Sequence, residues 1–387
     1  MNVPKLRFPE FSGEWEEKRF DRWFKIKAGG DVPTDRVNKV RDAQYKFPIF
    51  ANSTRNRGLY GYTDTYKEEA DCVTLSGRGD LGIPNARFEP FYPIVRLLVL
   101  RPIDQSDVLF LENAISRVNI FVESTGVPQL TGPQISSYKL AVPNFPEQQK
   151  IAAFLEAMDA KLSALAAKQA ALERFKAGLM QKLFSQQLRF TRDDGQAFPD
   201  WDVKDLGDIA ARSAAKNKDL EYMRVLTNSA VHGVIDQRDF FDKDIANSEN
   251  LGGYYIIKKG GFVYNPRISV SAPVGPIKRN NLGDGVMSPL YSVFRFHDEN
   301  TDFFDQYFQT TLWHDYMKSV ANYGARHDRM AITIGDLMGL PLPFPHPDEQ
   351  RKIANALAAM DAKIQAVADQ VAKLETFKKG LLQQMFV

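Results

Sequence analysis

Cysteine is almost absent from this 387-residue chain. Cys72 is the only one, so no internal disulfide can form and nothing points to an oxidising compartment. No histidine or asparagine context marks Cys72 as a nucleophile, and it reads as a packed core thiol. The five histidines (His232, His297, His314, His327 and His346) show no metal-ligand spacing and have no cysteine partners, so no metal site is expected. No window approaches the roughly eighteen consecutive apolar residues of a membrane-spanning helix. The opening MNVPKLRFPEFSGEWEEKRF holds acids and no apolar run, unlike a signal peptide, so a cytoplasmic protein with no membrane partner is the expectation. A charge excess is missing as well. The net charge is +2 and is spread evenly, whereas nucleic-acid binders usually show a basic surplus. Any argument for DNA must therefore rest on local clusters and on architecture.

Catalytic signatures are also lacking. There is no GxxxxGK[ST] loop to cradle a nucleotide phosphate. The Asn/Asp/Ser-Pro-Pro-aromatic tetrapeptide of amino-methyltransferases is absent, and the nearest stretch, YNPRI at Tyr264, lacks the second proline. PDWDVK (Pro199 to Lys204) echoes a nuclease motif, but its acids lie too close together to come from successive strands around a metal. No catalytic residue is assigned.

What the chain does have is a repeat. EQQKIAAFLEAMDAK begins at Glu147 and EQRKIANALAAMDAK at Glu349; LERFKAGLMQKLF (Leu172 to Phe184) returns as LETFKKGLLQQMF (Leu374 to Phe386). A long period seen only twice is a duplicated module, not a solenoid. Both segments are rich in strong helix formers, and each is entered through prolines, VPNFPEQQ or LPLPFPHPDEQ, with acids just inside to meet the helix dipole. Apolar residues recur at close to 4-3 spacing: Ile151, Leu155, Met158, Leu162, Leu165, Leu172, Leu179 and Leu183, then Ile353, Leu357, Met360, Ile364, Val367, Val371, Leu374, Leu381 and Met385. That is a coiled-coil seam, and a helix of roughly 57 Å needs a partner of its own length. The other copy is the obvious one. The seam slips where Lys176 and Lys378 take apolar positions and Phe175 and Phe377 fall one residue early. Gly178 and Gly380 recur inside the helices at a cost of about 1 kcal/mol each. They point to close backbone approach, helix to helix or to a partner, or to inheritance from one ancestral copy.

The remaining segments carry most of the Gly, Pro and aromatic residues. They mix β-type runs (YPIVRLLVL, GFVYNP, LYSVFRF) with helical stretches (DVLFLENAIS, FFDQYFQTTLWHDYMKSV) and turns such as NNLGDG. The organisation expected is an α/β (α+β) domain over 1–146, a helix over 147–187, a second α/β domain over 188–347 and a helix over 348–387. FPEFSGEWEEK and FPDWDVKDL open the two domains in related ways. If the halves pair about a pseudo-two-fold axis, the helices run antiparallel with one diverged domain at each end, whereas a parallel pairing would leave the two domains side by side.

The two EQ(Q/R)KIA…MDAK…LE.FK.GL helices, the LP…P.EQ entrance and the FP…W opening of each half resemble the specificity subunit of type I restriction-modification systems, over essentially the whole chain. The resemblance implies two target-recognition domains, each reading one half of a bipartite, asymmetric double-stranded DNA target. It implies helices that set the spacer and dock two methyltransferase subunits, with restriction motor-nuclease subunits completing the complex. S-adenosylmethionine, ATP and Mg are then expected only on those partners. With that placement, loop clusters become candidates for DNA contact, because Arg, Lys, Asn and Gln read base edges and hold phosphates. In the first domain they are Arg55, Asn56 and Arg57, Arg78 between glycines, and Thr125 with Gln129. In the second they are Asn265 and Arg267, Lys278 and Arg279, and Arg326, His327 and Arg329. The competing reading is a coiled-coil scaffold that presents two adaptor domains to proteins alone.

Overall fold

The chain is described by a computed structural model over residues 2–120, 128–240, 248–298, 301–322 and 328–387. It divides into two compact units, Met1–Lys168 with Val367–Val387, and Gln169–Ala366. Both divisions fall inside long helices. The central helix, Phe145–Phe184, has 40 residues and the C-terminal helix, Pro347–Met385, has 39. Each unit thus holds one α/β domain, the first part of one helix and the last part of the other. Local chemistry starts both helices. Asn144 Oδ1 accepts the Glu147 amide at 3.0 Å, and His346 Nδ1 accepts the Asp348 amide at 3.2 Å.

In the first unit, strand Glu16–Arg19 pairs antiparallel with Lys139–Val142, the strand that feeds the central helix. The opening and closing segments of the domain are thereby tied together. A one-turn helix, Phe20–Trp23, leads into a four-stranded antiparallel sheet in the order Phe24–Ala28, Leu98–Pro102, Cys72–Leu75 and Pro84–Arg87. A smaller sheet sets Phe47–Phe50 against Leu59–Thr63 antiparallel and Tyr92–Pro93 parallel. YPIVRLLVL is not one strand: Val95 and Arg96 take left-handed backbone (φ 53° and 63°) and break it in two. DVLFLENAIS forms the helix Val108–Ile115, with Asp107 Oδ1 accepting the amides of Leu109 and Phe110 at 3.0 and 2.9 Å.

The second unit repeats this plan with different residues. Strand Asp202–Asp205 pairs antiparallel with Pro341–Phe344, which feeds the C-terminal helix. A one-turn helix, Leu206–Ile209, again follows, then a sheet in the order Ala210–Arg212, Ser292–Phe296, Phe262–Tyr264 and Ile277–Arg279. A second sheet runs Gly233–Asp236, Val225–Ser229, Gly285–Met287 and Tyr255–Ile257. FFDQYFQTTLWHDYMKSV gives two helices, Asp302–Tyr307 and His314–Val320, not one.

Within each unit the helix segments run antiparallel and share a core with the domain. In the first, Ile151, Leu155 and Met158 pack with Leu381, Met385 and Phe386 against Trp15, Phe20, Phe110 and Leu140. In the second, Met180, Leu183 and Phe184 pack with Ile353 and Leu357 against Phe294, Phe303, Tyr307 and Leu337. Each fully buried apolar side chain contributes roughly 1.5–3 kcal/mol before ordering entropy is subtracted. Towards mid-helix the seam opens: Leu162, Leu165, Leu172, Ile364 and Val371 are only half-buried, although Val367 is buried. The expected helix-to-helix approach at the glycines is not found. A Cβ added at Gly178 or Gly380 would meet nothing within 4 Å.

Candidate nucleic-acid interface and helix junctions

The repeated helix entrances are built from the same three residue types. Glu147 is fully buried and is gripped by Arg7 through Nε and Nη2, both at 2.7 Å, while Trp15 Nε1 donates to it at 3.4 Å. Glu349, also fully buried, accepts from Arg189 Nε and Nη2 at 3.0 and 2.8 Å and from Trp201 Nε1 at 2.9 Å. A buried carboxylate needs such partners, because charge removed from water unpaired is expensive. The next residues match as well: Gln148 Nε2 donates to the Pro143 carbonyl at 2.8 Å and Gln350 Nε2 to that of Pro345 at 2.9 Å. The two arginines escaped the sequence reading, yet the signal was there, since LRF occurs at 6–8 and again at 188–190. Its backbone repeats too. The Leu188 amide donates to the Lys182 carbonyl at 3.0 Å, and the Leu6 amide to that of Gln384 at 2.9 Å.

The two lysines that spoil the apolar seam have partners across it. In the second unit Lys176 Nζ lies 2.6 Å from Asp361 Oδ1 and donates to Gln309 Oε1 at 3.1 Å, while Gln306 Nε2 holds Asp361 Oδ2 at 2.9 Å. In the first unit Lys378 pairs with Asp159. Each lysine meets the aspartate of the other copy's MDAK.

In the first domain three candidate segments come together. Asn52 Oδ1 accepts the Gly77 amide at 2.7 Å, Thr54 Oγ1 lies 3.3 Å from Asp80 Oδ2, and Arg78 Nη2 donates to Gln129 Oε1 at 3.1 Å. Arg55, Asn56, Arg57 and Arg78 are all exposed, so this side of the domain presents a cluster of donors. Asn56 and Arg57 hold left-handed backbone (φ 48° and 50°) in the turn Arg55–Gly58, and Arg57 pairs with Glu112 at 2.8 Å. Thr125 lies outside the described residues.

The second domain corrects several expectations. Asn265 is buried, its amide donating to the Asn228 carbonyl at 2.9 Å and its oxygen accepting the Arg267 amide at 3.0 Å, so it braces the loop and is not offered to a ligand. Lys278 and Arg279 lie on strand Ile277–Arg279. Burial holds the Lys278 ammonium below the usual lysine range, and the Arg279 guanidinium is engaged by Asp302, by Asn281 Oδ1 at 2.9 Å and by Thr301 Oγ1 at 3.2 Å. Arg267 and Arg329 meet as backbone-bridge partners. Arg267 is exposed, and the buried Arg329 Nε has no hydrogen-bond partner among the described residues. Arg326 and His327 lie outside those residues.

Burial pushes the Cys72 thiol up to about 12, which makes it inert as a nucleophile at neutral pH. Among the described residues no group of three His, Cys, Asp or Glu is placed to hold a metal ion, and no helix is long and apolar enough to cross a membrane.

Against this geometry the comparisons with known proteins fall into one family. Residues 12–174 match the Type I restriction modification DNA specificity domain. Two type I specificity subunits of Mycoplasma pneumoniae are 33% and 30% identical over 132 residues, 34% of this chain and 36% and 39% of theirs. The specificity subunit of the MjaX type I restriction enzyme of Methanocaldococcus jannaschii is 25% identical across 98% of this chain and 95% of its own. The crystal structure of the S subunit of a type I restriction-modification system from M. genitalium shares the fold, with a TM-score of 0.61 at 16% identity, covering 100% of this chain and 99% of that one. The specificity-domain match covers the first domain and most of the central helix. Along nearly its whole length the chain is similar to a type I specificity subunit. It spans little more than a third of the length of the two Mycoplasma relatives.

Proposed function

We propose that this chain is the non-catalytic, DNA-reading subunit of a type I restriction-modification complex. Each globular domain reads one half of a bipartite, asymmetric duplex target. The paired helices set the spacer and dock two methyltransferase subunits, and motor-nuclease subunits complete the assembly. S-adenosylmethionine, ATP and Mg act on those partners. The observation that carries this reading is the contrast between the two levels of the repeat. The Arg–Glu–Trp helix entrances and the Lys–Asp pairs are duplicated residue for residue, while the loops bearing Arg55, Asn56, Arg57, Arg78 and Gln129 in one domain and Arg267 and Arg329 in the other are unlike. Equal supports holding unequal readers is what an asymmetric two-part target requires.

The test is selection from randomised duplex by the chain together with its methyltransferase subunit, followed by mapping of methylated adenines. A bipartite motif with a fixed gap is expected. Recovery of no motif, together with partner binding indifferent to salt, would favour the protein scaffold instead, since phosphate contacts make affinity fall steeply as salt rises.

A further inference from the structure

Arg87 is the least expected charge in the first unit. It lies at the end of strand Pro84–Arg87, is 4% exposed, and has no carboxylate within ion-pair distance among the described residues. Its guanidinium sits 3.5 Å from the centre of the Phe50 ring. Nε donates to Thr74 Oγ1 at 2.9 Å and Nη2 to the Arg57 carbonyl at 2.8 Å, which leaves Nη1 without a partner among the described residues. The nearby acids are already engaged, Glu112 by Arg57 and Glu89 by Arg41, both pairs within 3 Å. Burial holds the guanidinium down, to about 9, so the fold bears the cost of a cation with no ion-pair partner among the described residues.

That guanidinium forms part of the wall of an open pocket of about 330 Å³, shared with Phe50, Asn56, Phe88 and Glu89. Phe88 is 62% exposed at its edge. Asn56 is held there in left-handed backbone, which a side chain adopts only at a cost, and its amide has no hydrogen-bond partner among the described residues. A buried guanidinium with an unengaged Nη1, beside an unpaired amide on the same pocket wall, is suited to receive an oxyanion.

We propose that this pocket is a phosphate-binding site, with Arg87 supplying the charge and its unengaged Nη1 donor and Asn56 a second donor. The phosphate is that of a DNA backbone or of a free phosphate ligand. Only the DNA source rests on the proposed function.

The experiment uses the full chain in two arms. One measures calorimetric binding of inorganic phosphate, and the other anisotropy of a labelled duplex over a salt series. Three variants are compared with the parent: Arg87→Lys, Arg87→Gln and Asn56→Gly. Asn56→Gly removes the amide while relieving the left-handed backbone, so its melting temperature stays level or rises and a binding loss is not a folding loss. About a tenfold weakening is expected in all three, with the duplex salt slope smaller by about one in Arg87→Gln. Loss in the duplex arm assigns the site to the DNA backbone. Loss for inorganic phosphate alone assigns it to a free phosphate ligand. A parent that binds phosphate but no duplex, both alone and with its methyltransferase subunit, supports the site and overturns the DNA-reading function. Folded variants that match the parent in both arms overturn the site.

Discussion

Replacing Asp361 with alanine strands an ammonium group. Lys176, at 10% side-chain exposure, lies at a seam position, and its charge is met by Asp361 at 2.6 Å and by the neutral Gln309 oxygen at 3.1 Å. Removing the acid leaves that ammonium with one neutral acceptor, and stability is expected to fall by about 3 kcal/mol. Lys176→Ala is expected to cost less, about 1–2 kcal/mol, because the Asp361 side chain is 45% exposed and hydrates when left alone. The repeat-related pair is wetter, with Lys378 21% and Asp159 52% exposed, so each single alanine there costs about 1 kcal/mol or less. Urea unfolding followed by tryptophan fluorescence, arranged as two double-mutant cycles, reads the couplings directly. The coupling in the second unit is expected to exceed that in the first by at least about 1 kcal/mol. Equal couplings, or Lys176→Ala costing more than Asp361→Ala, refute the reasoning. Replacing the pair by Met and Leu is expected to leave stability within about 1–2 kcal/mol of the parent while the seam loses this charged register mark. In the assembled complex the spacer then blurs while both half-sites keep their identity, as methylated-adenine mapping would show.

Glu349→Ala leaves Arg189 facing a vacated pocket beside Trp201 and is expected to destabilise the second unit by about 3 kcal/mol, read as a lower urea midpoint. Asp305 gives a pH test with a definite sign. Burial raises its carboxyl above the usual range against the opposing pull of Arg279 and Lys278, so the ionised form is penalised in the folded state. Asp305→Asn should therefore be more stable than the parent at pH 7, with the gap closing as pH falls through the carboxylate range; a gap independent of pH would contradict this. Cys72 should resist a thiol reagent in the native chain and react stoichiometrically in urea, in line with its burial and raised pKa. Phe175 and Phe377 are exposed, so Phe175→Ser and Phe377→Ser should leave the melting temperature within a degree or two yet weaken co-purification of the methyltransferase subunit.

Much of this plan was legible because it rests on period. The 4-3 spacing located both helices, and the structure starts them at Phe145 and Pro347, where prolines and polar caps stand. The lysines at seam positions looked like a slip, since a seam pattern scores side chains one at a time and cannot show that Asp361 lies opposite. The LRF repeat marks Arg7 and Arg189 but not their partners: Arg7 and Glu147 are far apart in sequence and meet only in the folded chain. Loop readers were the weakest part. Asn265 and Arg279 have the composition of DNA contacts, but composition does not say whether a side chain turns inward to brace its own loop. Arg87 was overlooked because it sits in a strand, where an arginine usually points to solvent.

The pairings also account for why the helices stayed alike while the domains diverged. Lys176 meets Asp361 and Lys378 meets Asp159, so each contact joins a residue of one copy to a residue of the other. A change in one copy must then suit a partner in the second, and the two sequences are held together by their own contacts. Loops such as Asn52 with Gly77, or Asn265 with Asn228, bond within their own domain among the described residues. That argument does not reach Phe175 and Phe377, or Gly178 and Gly380. Neither phenylalanine is buried and neither glycine is crowded, so among the described residues no packing contact requires the copies to match at these positions. Under the proposed function, a methyltransferase subunit that docks twice in the same way would supply that requirement, and Phe175→Ser and Phe377→Ser test it against simple inheritance from one ancestral copy.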